Sequence, residues 1–331
     1  PYSAAVFMGL SYLFESNFGM PFHWAVLTMG GLTALYLALG GYRSMTMIDV
    51  VFGLIMTVGV VILVWSTLAK GGGLGAITAK LREVDPRLAG AVGPPGWWPL
   101  FCLVFLTSVA PFAMPQLVQK FYAIRDRRAI RIGMVASTFF ALLIGGAAYF
   151  TGATIRLFLT PENAPRAFVG GRPRFDNLMP EMLAQVVPEG LSVVILLLIL
   201  SASMSTLAAL VLISSSSVVK DFYAGFMRRD APDRLLTRLM RGASVLFVAL
   251  SVLLALTRPA TIVTILGISW GAIGAVFLGP FLWGLFTSRP NRAGGILSAV
   301  LGLAICLGWF FLYRGGERAY SPEAGTIGML A

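Results

Sequence analysis

Long apolar segments constrain the fold of this chain more than any other feature. Each is long enough for an α-helix to cross the roughly 30 Å of hydrocarbon in a bilayer. Charged residues make up only 12% of the sequence, against about 25% in soluble domains. The sequence therefore predicts an all-α polytopic membrane protein with about eight complete transmembrane helices. The segments lie at residues 22–40, 48–69, 97–118, 132–155, 190–218, 237–257, 260–287 and 293–313, with a shorter apolar stretch at 4–14.

Basic residues concentrate in alternate connections between these segments, as at 119–131 and 219–241. Cytoplasmic loops of membrane proteins are enriched in Lys and Arg, so this distribution predicts the orientation. The same distribution accounts for the net charge of +11. We therefore expect the lipid bilayer as a partner and no nucleic acid. We expect a multi-pass protein of the cytoplasmic (inner) membrane, with cytoplasmic loops at 41–47, 119–131, 219–236 and 288–292.

Two connections on the opposite side are long and carry amphipathic stretches. Residues 74–84 and 174–186 can each form a short surface helix. Such a helix could lie at the lipid interface or act as a lid, and the sequence leaves both roles open.

Motifs typical of enzymes are incomplete in this sequence. Residues 267–271 read GISWG, but a G-x-S-x-G elbow needs a strand, a turn and a histidine partner. Here the motif lies in an apolar segment, and the single histidine, His23, lies at the edge of another. The glycine-rich stretch at 71–75 lacks the Lys-Ser/Thr pair of a phosphate-binding loop. We therefore expect that the protein is not an enzyme.

Two prolines fall inside the segment at 97–118. Pro111 and Pro115 each remove one intrahelical hydrogen bond. One interpretation is a simple kink that serves packing. The other is a broken helix at a midplane binding site, because irregular backbone at membrane depth is tolerated only where it is buried or lines a cavity.

Hydroxyl groups cluster in the middle of the segment at 190–218. Ser205 and Thr206 lie three and four residues after Ala202, so helical geometry places both hydroxyls beside the Ala202 carbonyl. Three uncharged oxygens in one patch suit a hard cation such as Na⁺ if a second helix supplies further oxygens. The alternative is that these hydroxyls bond to their own helix or allow close packing. Ser214–Ser217, near the cytoplasmic end, are expected to serve packing or capping.

Asp49 stands at the start of the segment at 48–69. One interpretation is that it stabilises a helix N-terminus through the helix dipole. The other is a functional role, because ionisable groups within membrane helices are rare and commonly functional.

Four stretches of the chain together resemble the sodium:solute symporter family. They are ALGGYRSMTMIDVVFGLIM at 38–56, MPQLVQKFYAIRD at 114–126, SASMSTLAALVLISSSSVVKDFY at 201–223, and the glycine-rich run at 268–302 that begins ISWGAIG. They occur in the order found in that family and are distributed over most of the range 30–305. The resemblance implies sodium-coupled symport of a small organic solute by alternating access, with a membrane channel or a non-transporting scaffold as the alternative.

The resemblance also implies a partial LeuT-type fold built from inverted repeats of five helices. Residues 1–69 would then end the first repeat, 70–96 would form an extracytoplasmic loop, and 97–287 would be the second repeat. Residues 288–331 would hold a peripheral helix and a truncated tail. We expect the chain to be a fragment that lacks the N-terminal helices, including the one that completes the ion and solute sites.

The family's sodium ligands correspond to the Ala202 carbonyl and the Ser205 and Thr206 hydroxyls. Some members bind a second ion through the acid that matches Asp49 and through serines at the positions of Ala208 and Ala209. Asp49 is present here but both serines are alanine, so the resemblance implies one Na⁺, and Asp49 is a further candidate ligand.

The resemblance places the solute beside the two prolines. Proline-transporting members have Trp and Tyr where this chain has Thr107 and Pro111, which argues against proline itself. Pantothenate, a short monocarboxylate or a similar solute is expected, with Thr107, Ser108, Pro111 and Met114 as the candidate pocket wall.

Overall fold

The structure is a computed structural model that describes residues 1–39, 42–122, 124–289, 291–313 and 320–331. Helices account for most of the described chain. They are α1 Tyr2–Phe18, α2 Phe22–Leu39, α3 Tyr42–Gly71, α4 Leu74–Val84, α5 Trp97–Val109, α6 Pro115–Phe121, α7 Arg127–Phe158, α8 Phe175–Val186, α9 Glu189–Ser216, α10 Asp233–Leu256, α11 Ile262–Phe286, α12 Arg292–Leu312 and α13 Ser321–Leu330. Short 3₁₀ turns occupy Pro86–Ala89, Ala110–Ala113 and Pro165–Ala167.

The predicted transmembrane segments are confirmed. Within the described ranges, seven continuous helices are long and apolar enough to cross a bilayer, and the bent pair α5–α6 makes an eighth candidate. Several helix ends extend beyond the predicted segments: α3 begins at Tyr42 and α7 at Arg127. After Ser216 the α9 helix continues as a π-helix over Ser217–Met227. The expected surface helices are also present, as α4 and α8.

A single β-hairpin is present in the described chain, in the connection before α8. Strand β1, Phe168–Val169, pairs antiparallel with β2, Arg172–Pro173. Gly170 and Gly171 join the strands with φ of 58° and 76°. A two-residue hairpin turn of this kind needs positive φ at both positions, which glycine adopts without steric cost.

The chain divides into two compact units, and the larger holds Ser3–Pro86 and Asp126–Pro259. In this unit α3 packs along α9, and α10 packs on α2 and α9. The Ser215 and Ser244 hydroxyls, both buried, are 2.9 Å apart and link α9 to α10. This contact agrees with the packing role expected for the serines near the end of α9.

The smaller unit holds Pro1–Tyr2, Arg87–Arg125 and Ala260–Ala331. Its helices α11, α12 and α13 pack closely through glycines. A Cβ atom at Gly302 would lie 2.5 Å from the Ala275 carbonyl oxygen, and one at Gly271 would overlap the Gly325 backbone. Glycine is therefore required where these backbones approach.

We expect Gly271→Ala to destabilise the protein by about 1–3 kcal/mol, since the added methyl group meets backbone that cannot rotate away. The measurement is the thermal unfolding midpoint in detergent. Gly284→Ala is the matched control in the same helix, because a Cβ atom there meets nothing within 4 Å. Equal midpoints for the two variants would contradict the close α11–α13 contact.

Candidate functional site

The centre of α9 brings two of the three predicted oxygen atoms into contact. The Thr206 hydroxyl donates to the Ala202 carbonyl at 2.8 Å, one helical turn earlier. This is the bond to its own helix that the alternative interpretation predicts, and it places the two oxygens side by side. Both residues are half-buried. Two oxygens at this separation can both lie about 2.4 Å from one hard cation, since hydrogen bonding leaves a lone pair free on each.

The Ser205 hydroxyl points to a different helix. It donates to the Asp49 Oδ1 atom at 2.7 Å and so joins α9 to α3. This distance is typical of a strong hydrogen bond to a carboxylate. The structure thus brings Asp49 into contact with the predicted cluster, through Ser205 itself.

The interpretation of Asp49 as a helix-terminal residue is wrong. Helix α3 begins at Tyr42, so Asp49 lies about two turns inside it, whereas the helix dipole acts only within the first turn. Tyr36 of α2 lies within electrostatic range of this carboxylate. Sequence reasoning missed Tyr36, because an apolar pattern does not show which residues of another helix come near an acid.

Carbonyl, hydroxyl and carboxylate oxygens thus occur together on the adjacent helices α9 and α3. They belong to Ala202, Ser205, Thr206 and Asp49. Such oxygens are the ligands that hard cations prefer. Asp49 is the one formal charge among them, which suits a monovalent ion better than a divalent one. The positions one turn further along α9 are occupied by Ala208, which is buried, and Ala209, which is half-buried. Because both residues are alanine, neither contributes a side-chain oxygen.

The α5–α6 pair, in the smaller unit, forms a break and not a simple kink. Helix α5 ends at Val109, a 3₁₀ turn follows at Ala110–Ala113, and α6 begins at Pro115 after an extended Met114. The helix axes differ by 48°. Pro111 and Pro115 lack the N–H groups that would continue the α-helical ladder, which explains the position of the break.

The four candidate solute residues fall in different surroundings at this break. Ser108 is exposed, and Thr107 and Pro111 are half-buried. The Thr107 hydroxyl donates to the Leu103 carbonyl of its own helix at 2.8 Å. Met114 is only 2% exposed and packs with Leu106 and Ala110, so its side chain belongs to the core of this unit.

A further polar residue at the break was not predicted. Gln116 is 8% exposed, and its Nε2 atom lies 3.4 Å from the Met114 Sδ atom. A buried amide next to a helix break is a candidate for contact with a polar ligand. Its position directly after Pro115 is the signal that could have identified it.

Comparison with known proteins identifies the family. The model of the sodium:solute symporter family matches residues 2–302. A sodium/pantothenate symporter of Escherichia coli is 28% identical over 307 residues, which cover 89% of this chain and 60% of that protein. The high-affinity proline transporter PutP of Bacillus subtilis is 29% identical over 90% of this chain and 61% of its own length. The chain thus spans about three fifths of the length of these relatives.

A solved structure shares the fold. A Na⁺-coupled sialic acid symporter in a substrate-bound outward-open state superposes with a TM-score of 0.71 at 17% identity, over 99% of this chain and 72% of that protein. The expected partial LeuT-type membrane fold is therefore confirmed. With nine tenths of its length matched by the family model, this chain belongs to the sodium:solute symporter family.

Proposed function

We propose that the protein containing this chain carries out sodium-coupled symport of a small organic solute by alternating access. The observation that carries the proposal is the oxygen cluster on α9, in which Thr206 contacts the Ala202 carbonyl and Ser205 contacts Asp49. In a chain of this family, such a cluster is best explained as part of a binding site for the coupling ion.

The proposed site binds one Na⁺ through the Ala202 carbonyl and the Ser205 and Thr206 hydroxyls. A helix outside this chain would supply the remaining oxygens. Asp49 is proposed to hold the Ser205 hydroxyl in place and to add negative charge. The alanines at 208 and 209 support a single ion, since two oxygen ligands of a second site are absent.

The proposed solute is pantothenate, a short monocarboxylate or a similar small molecule. Relatives of this chain are named for pantothenate and for proline, and Thr107 and Pro111 replace the aromatic pair expected for proline. The exposed Ser108 and the half-buried Thr107 and Pro111 are the accessible part of the proposed pocket wall, whereas the burial of Met114 favours a supporting role.

The proposed arrangement in the membrane follows the charge distribution. The protein would lie in the inner membrane. Its cytoplasmic loops would be those at 41–47, 119–131, 219–236 and 288–292. We also propose that residues 97–287 form a five-helix repeat.

We further propose that the protein has no enzymatic activity. The relatives matched are transporters, which agrees with this proposal.

Uptake by the full-length protein in proteoliposomes tests the proposal. An inward Na⁺ gradient should drive accumulation of one radiolabelled solute from a panel of pantothenate, monocarboxylates and amino acids. Dissipating the gradient should abolish the accumulation. Conduction without accumulation would indicate a channel, and neither activity across the panel would indicate a scaffold.

Removing the exposed hydroxyl at the break should weaken solute binding alone. We expect Ser108→Ala to raise the KM for the solute about three- to tenfold, the range expected for one lost hydrogen bond, with the Na⁺ dependence unchanged. Ser137→Ala is the control, because that exposed hydroxyl bonds to the Met134 carbonyl of its own helix. An unchanged KM in Ser108→Ala would exclude Ser108 from the pocket.

A further inference from the structure

The connection between α9 and α10, residues 217–241, forms a basic hairpin in the larger unit. Its sequence holds six basic and three acidic residues. The π-helix Ser217–Met227 forms its first arm and the first turns of α10 form the second, and the two arms pack against each other. The basic hairpin thus stands at one end of two helices that are long and apolar enough to span a membrane.

Three arginines line one face of the second arm. Arg234, Arg238 and Arg241 follow one another at spacings of four and three residues, which places them on the same side of α10. All three are exposed, and none forms an ion pair with any residue that the structure describes. They span about 10 Å along the helix axis. This length is comparable to the depth of a headgroup layer once the reach of an arginine side chain is included.

Exposed apolar side chains occur on both arms of the basic hairpin. Along α10 the exposed surface continues with Val245 and Leu246, as expected where the helix enters hydrocarbon. On the first arm, Phe222 and Phe226 are 59% and 83% exposed, with ring centroids 6.2 Å apart. An element that carries both exposed aromatics and cations is typical of the boundary between headgroups and acyl chains.

We propose that the basic hairpin binds the phosphate groups of anionic phospholipids in the leaflet that it faces. Arginine suits this partner, because its planar guanidinium donates two parallel hydrogen bonds to phosphate oxygens. The exposed phenylalanines of the first arm would hold the hairpin at the level where those phosphates lie. The inference does not depend on which ion or solute the protein transports.

Native mass spectrometry of the full-length protein released from lipid nanodiscs tests this inference. With an equimolar mixture of phosphatidylglycerol and phosphatidylcholine, the protein should retain phosphatidylglycerol preferentially. Arg234→Gln/Arg238→Gln/Arg241→Gln should weaken that retention roughly 100-fold, at about fivefold per arginine. The same substitutions to Lys should preserve most of it, because the charge remains.

A charge-matched control distinguishes the effect of the basic hairpin from an effect of net charge. Arg166→Gln/Arg172→Gln/Arg174→Gln removes three charges near the β-hairpin and should leave phosphatidylglycerol retention unchanged. Retention of both lipids in equal amounts by the parent protein would overturn the proposal. An equal loss in the control triple would overturn it too, as would a loss in the Lys variant as large as in the Gln variant.

Discussion

Replacing both Ser205 and Thr206 by alanine should raise the Na⁺ concentration for half-maximal solute uptake by about 100-fold or more in the full-length protein. The double variant removes two of the three proposed ligands on α9. It also removes the hydroxyl that donates to Asp49. Even the loss of an outer-shell partner commonly weakens metal affinity about 10- to 100-fold, so the loss of two direct ligands should have at least that effect.

The measurement is solute uptake at increasing Na⁺ concentration in proteoliposomes, normalised to the amount of protein inserted. Ser214→Ala/Ser216→Ala is the matched control, because it removes two hydroxyls from the same helix away from the cluster. The Ser214 hydroxyl bonds only to the Leu210 carbonyl of its own helix among described residues. If uptake proved independent of Na⁺, or if the Ser205/Thr206 variant behaved as the control does, the site assignment would be wrong.

The second large effect concerns the number of ions. The parent protein should show a Hill coefficient for Na⁺ of about one, and so should Asp49→Asn, since a Hill coefficient cannot exceed the number of coupled sites. Ala208→Ser/Ala209→Ser should raise the coefficient towards about two. These serines would lie one turn beyond Ser205, on the side of α9 that meets Asp49, and would restore the ligands that the resemblance assigns to a second ion.

Initial rates of uptake at saturating solute and increasing Na⁺ concentration give these Hill coefficients. The charge moved per solute molecule provides an independent count of the ions. Ala208→Gly/Ala209→Gly serves as the control for altered packing, since it changes the same positions without adding oxygen atoms. A coefficient near two in the parent would refute the single-ion proposal. A coefficient that stays at one in the serine variant would show that Asp49 and these positions do not form a second site.

Local features of the chain were predictable because they depend on neighbours in sequence. A transmembrane helix needs only an apolar run of sufficient length, so the boundaries of α11 and α12 agree with the predicted segments to within two residues. The contact between Thr206 and the Ala202 carbonyl was predictable for the same reason. It joins residues four positions apart, and the geometry of a helix fixes their separation.

The sequence by itself determined the membrane class, the eight apolar segments and the patch of oxygens along α9. Only the tertiary structure decided that Ser205 donates to Asp49, 156 residues away, that Met114 is buried, and that Gly271 meets the Gly325 backbone. Periodicity shows that a helix face is apolar but not which other helix covers it. Those pairings depend on how side chains of different helices interlock, and that information is distributed over the whole chain.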